Sequence, residues 1–183
     1  MAFLSHTATF DQIKHCKELL EHHSVAKRGV FDGDYYQQLF GLIAQTIVAD
    51  LAGCERPSQC HDGPDPGYDV TINGVRLDVK CVIREYAPKA TWACNLTDTQ
   101  ARYQCDGYIF MSYDKSCGVF HIVGWDSKHD FLMAAKHNKV GDQVCRDNGT
   151  TFTVRGTGFF EKPIRSLQKL RTLEDLRAIK VKA

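Results

Sequence analysis

The alternation of apolar and polar positions is sharpest in residues 68–84, which read YDVTINGVRLDVKCVIR. Every second residue is apolar, and this is the period of a β-strand. The dipeptide Asn73-Gly74 at the centre is the strongest short-range signal for a two-residue hairpin turn. The stretch therefore predicts a β-hairpin with one face on a core. That apolar face carries Val70, Ile72, Val75, Leu77, Val79, Cys81 and Ile83, and the polar face carries Asp69, Thr71, Arg76, Asp78, Lys80 and Arg84.

The turn also fixes the register of this hairpin and sets Asp69 opposite Asp78. Opposite residues have their Cβ atoms about 4.5–5.5 Å apart, and two like charges at that distance repel each other. A divalent cation between the carboxylates converts this repulsion into binding. Lys80 lies two residues beyond Asp78 on the same face. The pattern therefore predicts a site for a metal ion and a phosphate.

Apolar stripes at the helical period predict two helices before the hairpin, over residues 9–24 and 34–52. Each helix begins with a capping-box pattern, and Gly53 stands where a glycine C-cap belongs. The two capping boxes pair Thr9 with Gln12 and Asp34 with Gln37.

Shorter elements follow the hairpin. Strands are predicted at 91–96, 108–113 and 119–125, a turn or short helix at 98–104, and a helix at 127–137. The basic, leucine-rich residues 163–183 predict a docked helix with a solvated face, with contact to a nucleic-acid backbone as the alternative. Trp92, Trp125 and the tyrosines are expected in the core rather than as platforms for bases. The order of elements predicts an α/β protein with a central mixed sheet flanked by helices.

The length of 183 residues favours one domain over residues 1–183, with 43% hydrophobic and 25% charged residues, as in soluble globular proteins. The net charge of +1 argues neither for nor against a nucleic-acid partner. No apolar run has the length of a membrane span, so no membrane association is expected. The N-terminal residues lack the pattern of a signal peptide. These features predict a cytoplasmic protein.

Eight cysteines are many for this length. Without a secretory signal they are interpreted as reduced thiols rather than as a disulfide framework. Cys54, Cys60 and His61, with Asp62 beside them, are the nearest approach to a zinc cluster, but their spacing is not diagnostic. A loop with free thiols is favoured over a structural Zn²⁺ site.

The pattern Asp69-x8-Asp78-x-Lys80, on a hairpin preceded by a helix, resembles the active-site motif of the PD-(D/E)XK nuclease superfamily. Three further segments resemble small phage-type members of that superfamily. They are Cys105-Asp106 before a strand, the Gly-Trp-Asp-Ser-Lys of residues 124–128 at a strand-to-helix junction, and residues 163–170. The resemblance implies a restriction-endonuclease-like core and a deoxyribonuclease that depends on Mg²⁺ or Mn²⁺.

The same resemblance implies roles for individual residues. Asp69, Asp78 and the main-chain carbonyl of Val79 would hold the metal, and Lys80 would orient the attacking water and steady the phosphorus centre. Superfamily members usually add an acid from the preceding helix, but here Gln45 stands at that position. The helical wheel instead favours Asp50. Gln45 is ranked slightly higher because its sequence context matches.

Alternatives remain beside the nuclease interpretation. Arg76 could neutralise both acids in a surface ion cluster without a metal, or Arg76 and Arg84 could contact phosphates of a DNA partner. The missing helix acid allows a catalytically silent module that binds nucleic acid or a protein. The resemblance places the protein in a bacterial cytoplasm or a phage-infected host cell. A homodimer is compatible with the sequence, which does not distinguish endonuclease from exonuclease action.

Overall fold

The computed structural model describes residues 2–22, 34–58, 67–146 and 149–181. These segments form ten strands and four α-helices, with 3₁₀ turns at Gln100–Arg102 and Ile164–Ser166. In chain order the elements are β1 (Leu4–Thr7), α1 (Phe10–His22), α2 (Tyr35–Ala52), β2 (Val70–Ile72), β3 (Val75–Arg84), β4 (Ala93–Thr97), β5 (Gly107–Asp114), β6 (Val119–Ser127), α3 (Lys128–Ala134), β7 (Lys136–Asn138), β8 (Gln143–Cys145), β9 (Thr151–Thr153), β10 (Phe159–Pro163) and α4 (Leu173–Arg177).

A five-stranded sheet with the order β1-β6-β5-β3-β2 forms the centre of the fold. The β3 and β5 strands run parallel, and the other neighbours are antiparallel. A second sheet, β4-β10-β7, and the β8-β9 ribbon complete the strands of the described residues. The prediction of a mixed α/β fold with a central mixed sheet is therefore confirmed. The finer prediction of a restriction-endonuclease-like core stays a prediction.

The central sheet is covered by a hydrophobic cluster on each face. The first cluster joins α1, α2 and α4 to the face of β3 that carries Leu77 and Val79. The second joins Phe110 of β5 to Phe131 of α3 and to Cys94 of β4. Asp78 and Lys80 point to this second side, because they pair in register with Tyr108 and Phe110. The part of the polar face that carries Asp78 is thus covered, whereas Thr71 and Arg76 on the same face are exposed.

Capping residues set the ends of the two helices that precede the hairpin. Asp34 caps α2 in a complete capping box with Gln37, and Gly53 closes the helix in a left-handed conformation. The capping box of Thr9 and Gln12 is also present. Both helices therefore begin where the sequence predicts.

The hairpin turn is tethered to the C-terminal segment. Asn73 and Gly74 have φ angles of 50° and 80°, as a type I′ turn requires. Asn73 Nδ2 donates to the carbonyl oxygens of Arg177 and Ile179, at 2.6 and 3.2 Å. Arg177 Nε in turn donates to the carbonyl of Leu51 at the end of α2. The C-terminal segment therefore links the hairpin to α2.

We expect Asn73→Ala to lower the free energy of unfolding by about 1–2 kcal/mol, because it removes two hydrogen bonds and strains a positive φ. Asn73→Gly keeps the turn but loses the tether, so it isolates the side-chain contribution. Urea unfolding of both variants measures the difference. Two variants as stable as the wild type would contradict a stabilising tether.

Two predicted helices are shorter in the structure. The helix expected over 127–137 ends at Ala134, because Lys136–Asn138 pairs with β10 as strand β7. Its predicted cap, Ser127, accepts from the backbone of Asp130. In the tail only Leu173–Arg177 is α-helical. The segment before it is extended at Gln168, whose backbone exchanges two hydrogen bonds with that of Trp125.

None of the described helices is long and apolar enough to span a membrane. The seven described cysteines are free thiols, as predicted, and Cys60 lies outside the described residues. Of the predicted zinc ligands, Cys54 donates its thiol to the carbonyl of Thr71 at 3.0 Å, and burial raises its pKa. His61 and Asp62 also lie outside the described residues.

Candidate functional site

Asp69 lies one residue before the hairpin ladder. The observed register pairs Val70 with Leu77, as predicted, but the ladder ends there. The backbone N–H of Asp69 donates to the carbonyl of Leu77, and its carboxylate Oδ2 accepts from the N–H of Val79 at 2.7 Å. The predicted backbone pairing of Asp69 with Asp78 is therefore wrong in detail. The carboxylate of Asp69 instead caps the free edge of β3 at Val79.

Val79 presents its main chain to the same edge. In a β-strand the N–H and C=O of one residue point to the same side, so the carbonyl of Val79 also faces the edge where Asp69 lies. The side chain of Val79 is buried in the core on one face of the sheet. A core residue therefore fixes the position of a main-chain oxygen beside an acid.

Asp78 is held at the buried centre of this edge. Its side chain is only 5% exposed, and Oδ1 pairs with Lys80 Nζ at 2.8 Å. Its other oxygen, Oδ2, is buried without a hydrogen-bond partner among the described residues. Buried polar atoms are normally satisfied, and an orphaned carboxylate oxygen is costly. This oxygen faces the neighbouring carboxyl of Asp69, which can bridge to it only when protonated, or it can bind a cation that takes the place of that proton.

The charges at this site perturb one another. Burial, followed by the negative charge of Asp78, raises the pKa of Asp69 well above its usual value. Burial acts to lower the pKa of Lys80, but the charges of Asp78 and Asp69 outweigh it and the pKa is raised. Lys80 is therefore a firmly protonated ammonium, and the two carboxylates are close enough to repel.

Helix α2 contributes Gln45 to this cluster. Its Nε2 donates to Asp69 Oδ1 at 2.8 Å. Asp50 has other partners, since its carboxylate accepts one hydrogen bond from Gln12 and two from Arg56. Of the two candidates for a third ligand, the structure brings Gln45 to the acids and does not bring Asp50.

The acids open into a cleft with a volume of about 190 Å³. One wall is the hairpin, and the opposite wall comes from the 3₁₀ turn Gln100–Arg102 and the residue after it, Tyr103. The residues that line the cleft are Gln45, Gly67, Tyr68, Asp69, Asp78, Val79, Lys80, Gln100 and Tyr103. Tyr68 and Tyr103, both half-buried, line this cleft. Tyr68 also packs against the second hydrophobic cluster, as predicted, whereas Tyr103 belongs to neither cluster. No local signal identifies Tyr103, because tertiary packing alone brings its turn to the hairpin.

The two predicted DNA-contacting arginines have other partners. Arg76 forms a two-pronged ion pair with Asp106 and lies 5.9 Å from the ring centroid of Tyr68. It does not neutralise the acids of the hairpin, as the ion-cluster alternative requires. Arg84 stacks on Trp92 at 4.5 Å and lies six residues from Asp78 along β3, about 20 Å away. Neither arginine lines the cleft.

The donor set at the hairpin fits a hard divalent cation. Two carboxylates, one with an orphaned oxygen, and a main-chain carbonyl are oxygen donors, which Mg²⁺ and Mn²⁺ prefer. Mg²⁺ keeps several waters, so few protein ligands suffice. Within residues 2–22, 34–58, 67–146 and 149–181, no three His, Cys, Asp or Glu side chains form a cluster that could hold a metal. A cation here would therefore rely on the amide of Gln45, the Val79 carbonyl and water beside two carboxylates.

Comparison with known proteins adds no family to this description. No protein-family model, curated protein or solved structure matches the chain.

Proposed function

We propose that the protein is a divalent-metal-dependent deoxyribonuclease that hydrolyses phosphodiester bonds at the Asp69–Asp78–Lys80 cluster. The observation that carries the proposal is the orphaned, buried Oδ2 of Asp78 beside a second carboxylate and an ammonium. An ion pair that only stabilised the fold would need one carboxylate beside Lys80. A second buried carboxylate without a compensating charge is destabilising. A cation would relieve the repulsion, and a phosphate would then find both a cation and Lys80 at one place.

Each residue has a distinct part in the proposed reaction. Asp69 and Asp78 would hold Mg²⁺ or Mn²⁺ together with the carbonyl of Val79. Gln45, whose amide N–H holds Asp69, would add its amide oxygen to the ion or to a water bound to it. The bound ion would supply charge neutralisation and polarisation at the phosphate. Asp78, the Val79 carbonyl and Lys80 lie on β3, whose core side chains are packed. These groups are therefore held in fixed positions and would orient the phosphate.

Lys80 acts as a cation rather than as a base in this proposal. Its pKa is raised, so the neutral amine that could take a proton is scarce. A fixed ammonium stabilises the negative charge that grows on the phosphate oxygens in the transition state. Lys80 would therefore orient the attacking water and steady the phosphorus centre by charge.

A second function is supported by one observation. Gln45 supplies a neutral amide where superfamily members usually carry an acid, so the site has two carboxylates among the described residues. A catalytically silent nuclease-like module that binds nucleic acid or a protein would need no more. Cleavage measurements separate the two functions directly.

We expect Lys80→Ala to lower the rate of Mn²⁺-dependent cleavage about 10²–10³-fold, because it removes a preorganised charge at the phosphate. The assay uses circular and linear DNA, single- and double-stranded, with Mg²⁺, Mn²⁺ or EDTA. Lys115→Ala is the matched control, because Lys115 is an exposed lysine paired with Glu85 outside the cleft. Its cleavage rate should equal that of the wild type.

Circular dichroism in Mn²⁺ checks that Lys80→Ala is folded. Cleavage by a folded Lys80→Ala at the wild-type rate would contradict the assignment of Lys80. Absence of metal-dependent cleavage by the wild type on every substrate would favour the silent module.

A further inference from the structure

The cleft offers few positive charges to a nucleic-acid backbone. Among the described residues that line it, Lys80 is the one cation, and Asp78 already pairs with it. Arg76, beside Tyr68, is paired with Asp106. A protein that follows both strands of a duplex neutralises several phosphates with Lys and Arg. Such a surface is absent from the described lining, and the net charge of +1 does not indicate a strongly basic domain.

The cleft offers aromatic side chains instead. Tyr68 and Tyr103 both line it, and the ring centroid of Tyr103 lies 5.6 Å from Lys80 Nζ. The Lys80 ammonium, which is proposed to meet the scissile phosphate, therefore lies over the ring of Tyr103. A nucleotide whose phosphate reached Lys80 would have its sugar and base next to this ring.

The backbone of Tyr103 is fixed by three contacts. Lys128 Nζ donates to the Tyr103 carbonyl, and the Tyr103 N–H donates to the carbonyl of Gln100 at 3.1 Å. Gly67 packs so closely that a Cβ there would lie 3.2 Å from Tyr103 Cβ and 2.7 Å from the backbone nitrogen of Gln104. Because the backbone of Tyr103 is held in place, this turn does not have to be ordered when a ligand binds.

We infer that this cleft takes single-stranded DNA and that Tyr103 is a binding residue that stacks on a base beside the scissile phosphate. The inference rests on the proposed nuclease function and names the substrate of the same site. Base–aromatic stacking contributes about 1–3 kcal/mol per base and tolerates any base. In a duplex the base is paired and stacked inside the helix, so it reaches Tyr103 only after unpairing.

Two consequences distinguish this site from a duplex nuclease. Single-stranded DNA is preferred over a duplex of the same sequence, with little dependence on base identity. Binding also depends weakly on salt. Lys80 supplies one phosphate contact from the cleft lining, which gives a slope of about −0.7 in a plot of log K against log salt.

The test measures Mn²⁺-dependent cleavage of one labelled strand, alone and annealed to its complement, by the wild type, Tyr103→Leu and Tyr103→Phe. Tyr103→Leu is expected to lose about 5–150-fold in kcat/KM on the single strand, mainly through KM, while Tyr103→Phe keeps the wild-type value. Tyr86→Leu, which removes a 69%-exposed tyrosine outside the cleft lining, is the matched control and should behave as the wild type. Faster cleavage of the duplex, or an unchanged Tyr103→Leu, overturns the inference.

A binding measurement tests base stacking on Tyr103 independently of cleavage. A single-stranded oligonucleotide with 2-aminopurine and ordinary phosphodiester linkages, mixed with the protein in EDTA so that it is not cleaved, reports stacking through fluorescence quenching. Quenching by the wild type and Tyr103→Phe but not by Tyr103→Leu supports the inference even for a protein that cleaves nothing. Equal fluorescence with the wild type and Tyr103→Leu overturns it even for an active nuclease.

Discussion

Asp78→Asn is expected to abolish Mn²⁺-dependent cleavage, by about 10³-fold or more, and yet to raise the melting temperature in EDTA. Loss of cleavage follows because the variant removes a charged ligand from a site with two carboxylates. The gain in stability follows because Asp78 Oδ2 is buried without a described partner and its charge opposes that of Asp69. A loss of cleavage together with a higher melting temperature in EDTA would therefore indicate a cation site.

The magnitudes decide between a cation site and a structural ion pair. Breaking a buried ion pair that stabilises the fold typically costs about 3–5 kcal/mol. In Asp78→Asn, by contrast, the amide retains an oxygen for Lys80 Nζ, and Asp69 still balances the ammonium. Relief of the carboxylate repulsion then dominates, and a gain of about 1 kcal/mol would raise the melting temperature by about 2–4 °C for a chain of this size. A fall of several degrees in EDTA would contradict the cation site.

The stability difference should also depend on pH. The pKa of Asp69 is raised in the folded protein by burial and by Asp78. A carboxyl group with a raised folded pKa stabilises the fold when protonated, and this stability is lost as the pH rises through that pKa. The advantage of Asp78→Asn in EDTA should therefore be largest above the folded pKa of Asp69 and shrink as the pH falls through it, as Asp69 of the wild type takes up its proton. Thermal melts across the pH range measure this convergence.

Gln45→Glu is expected to tighten Mn²⁺ binding about tenfold or more and to lower stability in EDTA. The substitution places a third acid where Gln45 Nε2 now donates to Asp69 Oδ1 at 2.8 Å. Without metal, a donor is replaced by a repelling oxygen in a partly buried site, which costs about 1–3 kcal/mol, or about 2–12 °C in melting temperature. With metal, the extra carboxylate adds a charged ligand, and each tenfold gain in affinity corresponds to about 1.4 kcal/mol.

Gln37→Glu is the matched control for this prediction. It adds the same charge to the same helix, but at the exposed capping box of α2, where an acid is well tolerated. Its Mn²⁺ affinity and its stability in EDTA should stay close to those of the wild type. A Gln45→Glu variant that matches Gln37→Glu in both measurements would contradict a metal site at Gln45.

Local chemistry accounts for the parts of the fold that could be predicted. Asn73-Gly74 demands positive φ angles that only a primed turn provides, and Asp34 with Gly53 marks both ends of α2. These signals need no knowledge of distant residues. They suffice to place Asp78 and Lys80 two residues apart on one strand, with a helix before them.

Distant contacts account for what could not be predicted. Strand β7 forms because β10 pairs with it, and this pairing ends α3 early. The alternation of the hairpin separates an apolar face from a polar face, but it does not show that the second hydrophobic cluster lies on the polar side and leaves Asp78 only 3% exposed. The burial of Asp69 itself, which raises its pKa, is likewise not evident from the spacing of the residues.

The sequence also predicts some residues of the candidate site but not the partners of others. Asp69, Asp78, Lys80 and Gln45 meet at one cleft, and the predicted neighbour Arg84 does not. Arg76 is engaged by Asp106, thirty residues further along the chain, so its charge is already matched. A register argument places charges on a face, but it cannot identify which partner each charge will find.

The proposal that these acids form a cation site is tested most directly by calorimetric titration of Mn²⁺ into the wild type and Asp78→Asn near neutral pH. The wild type is expected to give a saturable heat of binding that differs between buffers of different ionisation enthalpy. That difference arises because any proton on Asp69 must leave when the ion binds. Asp78→Asn is expected to give no saturable heat. No binding by the wild type, or equal binding by Asp78→Asn, would contradict a metal site at Asp69 and Asp78.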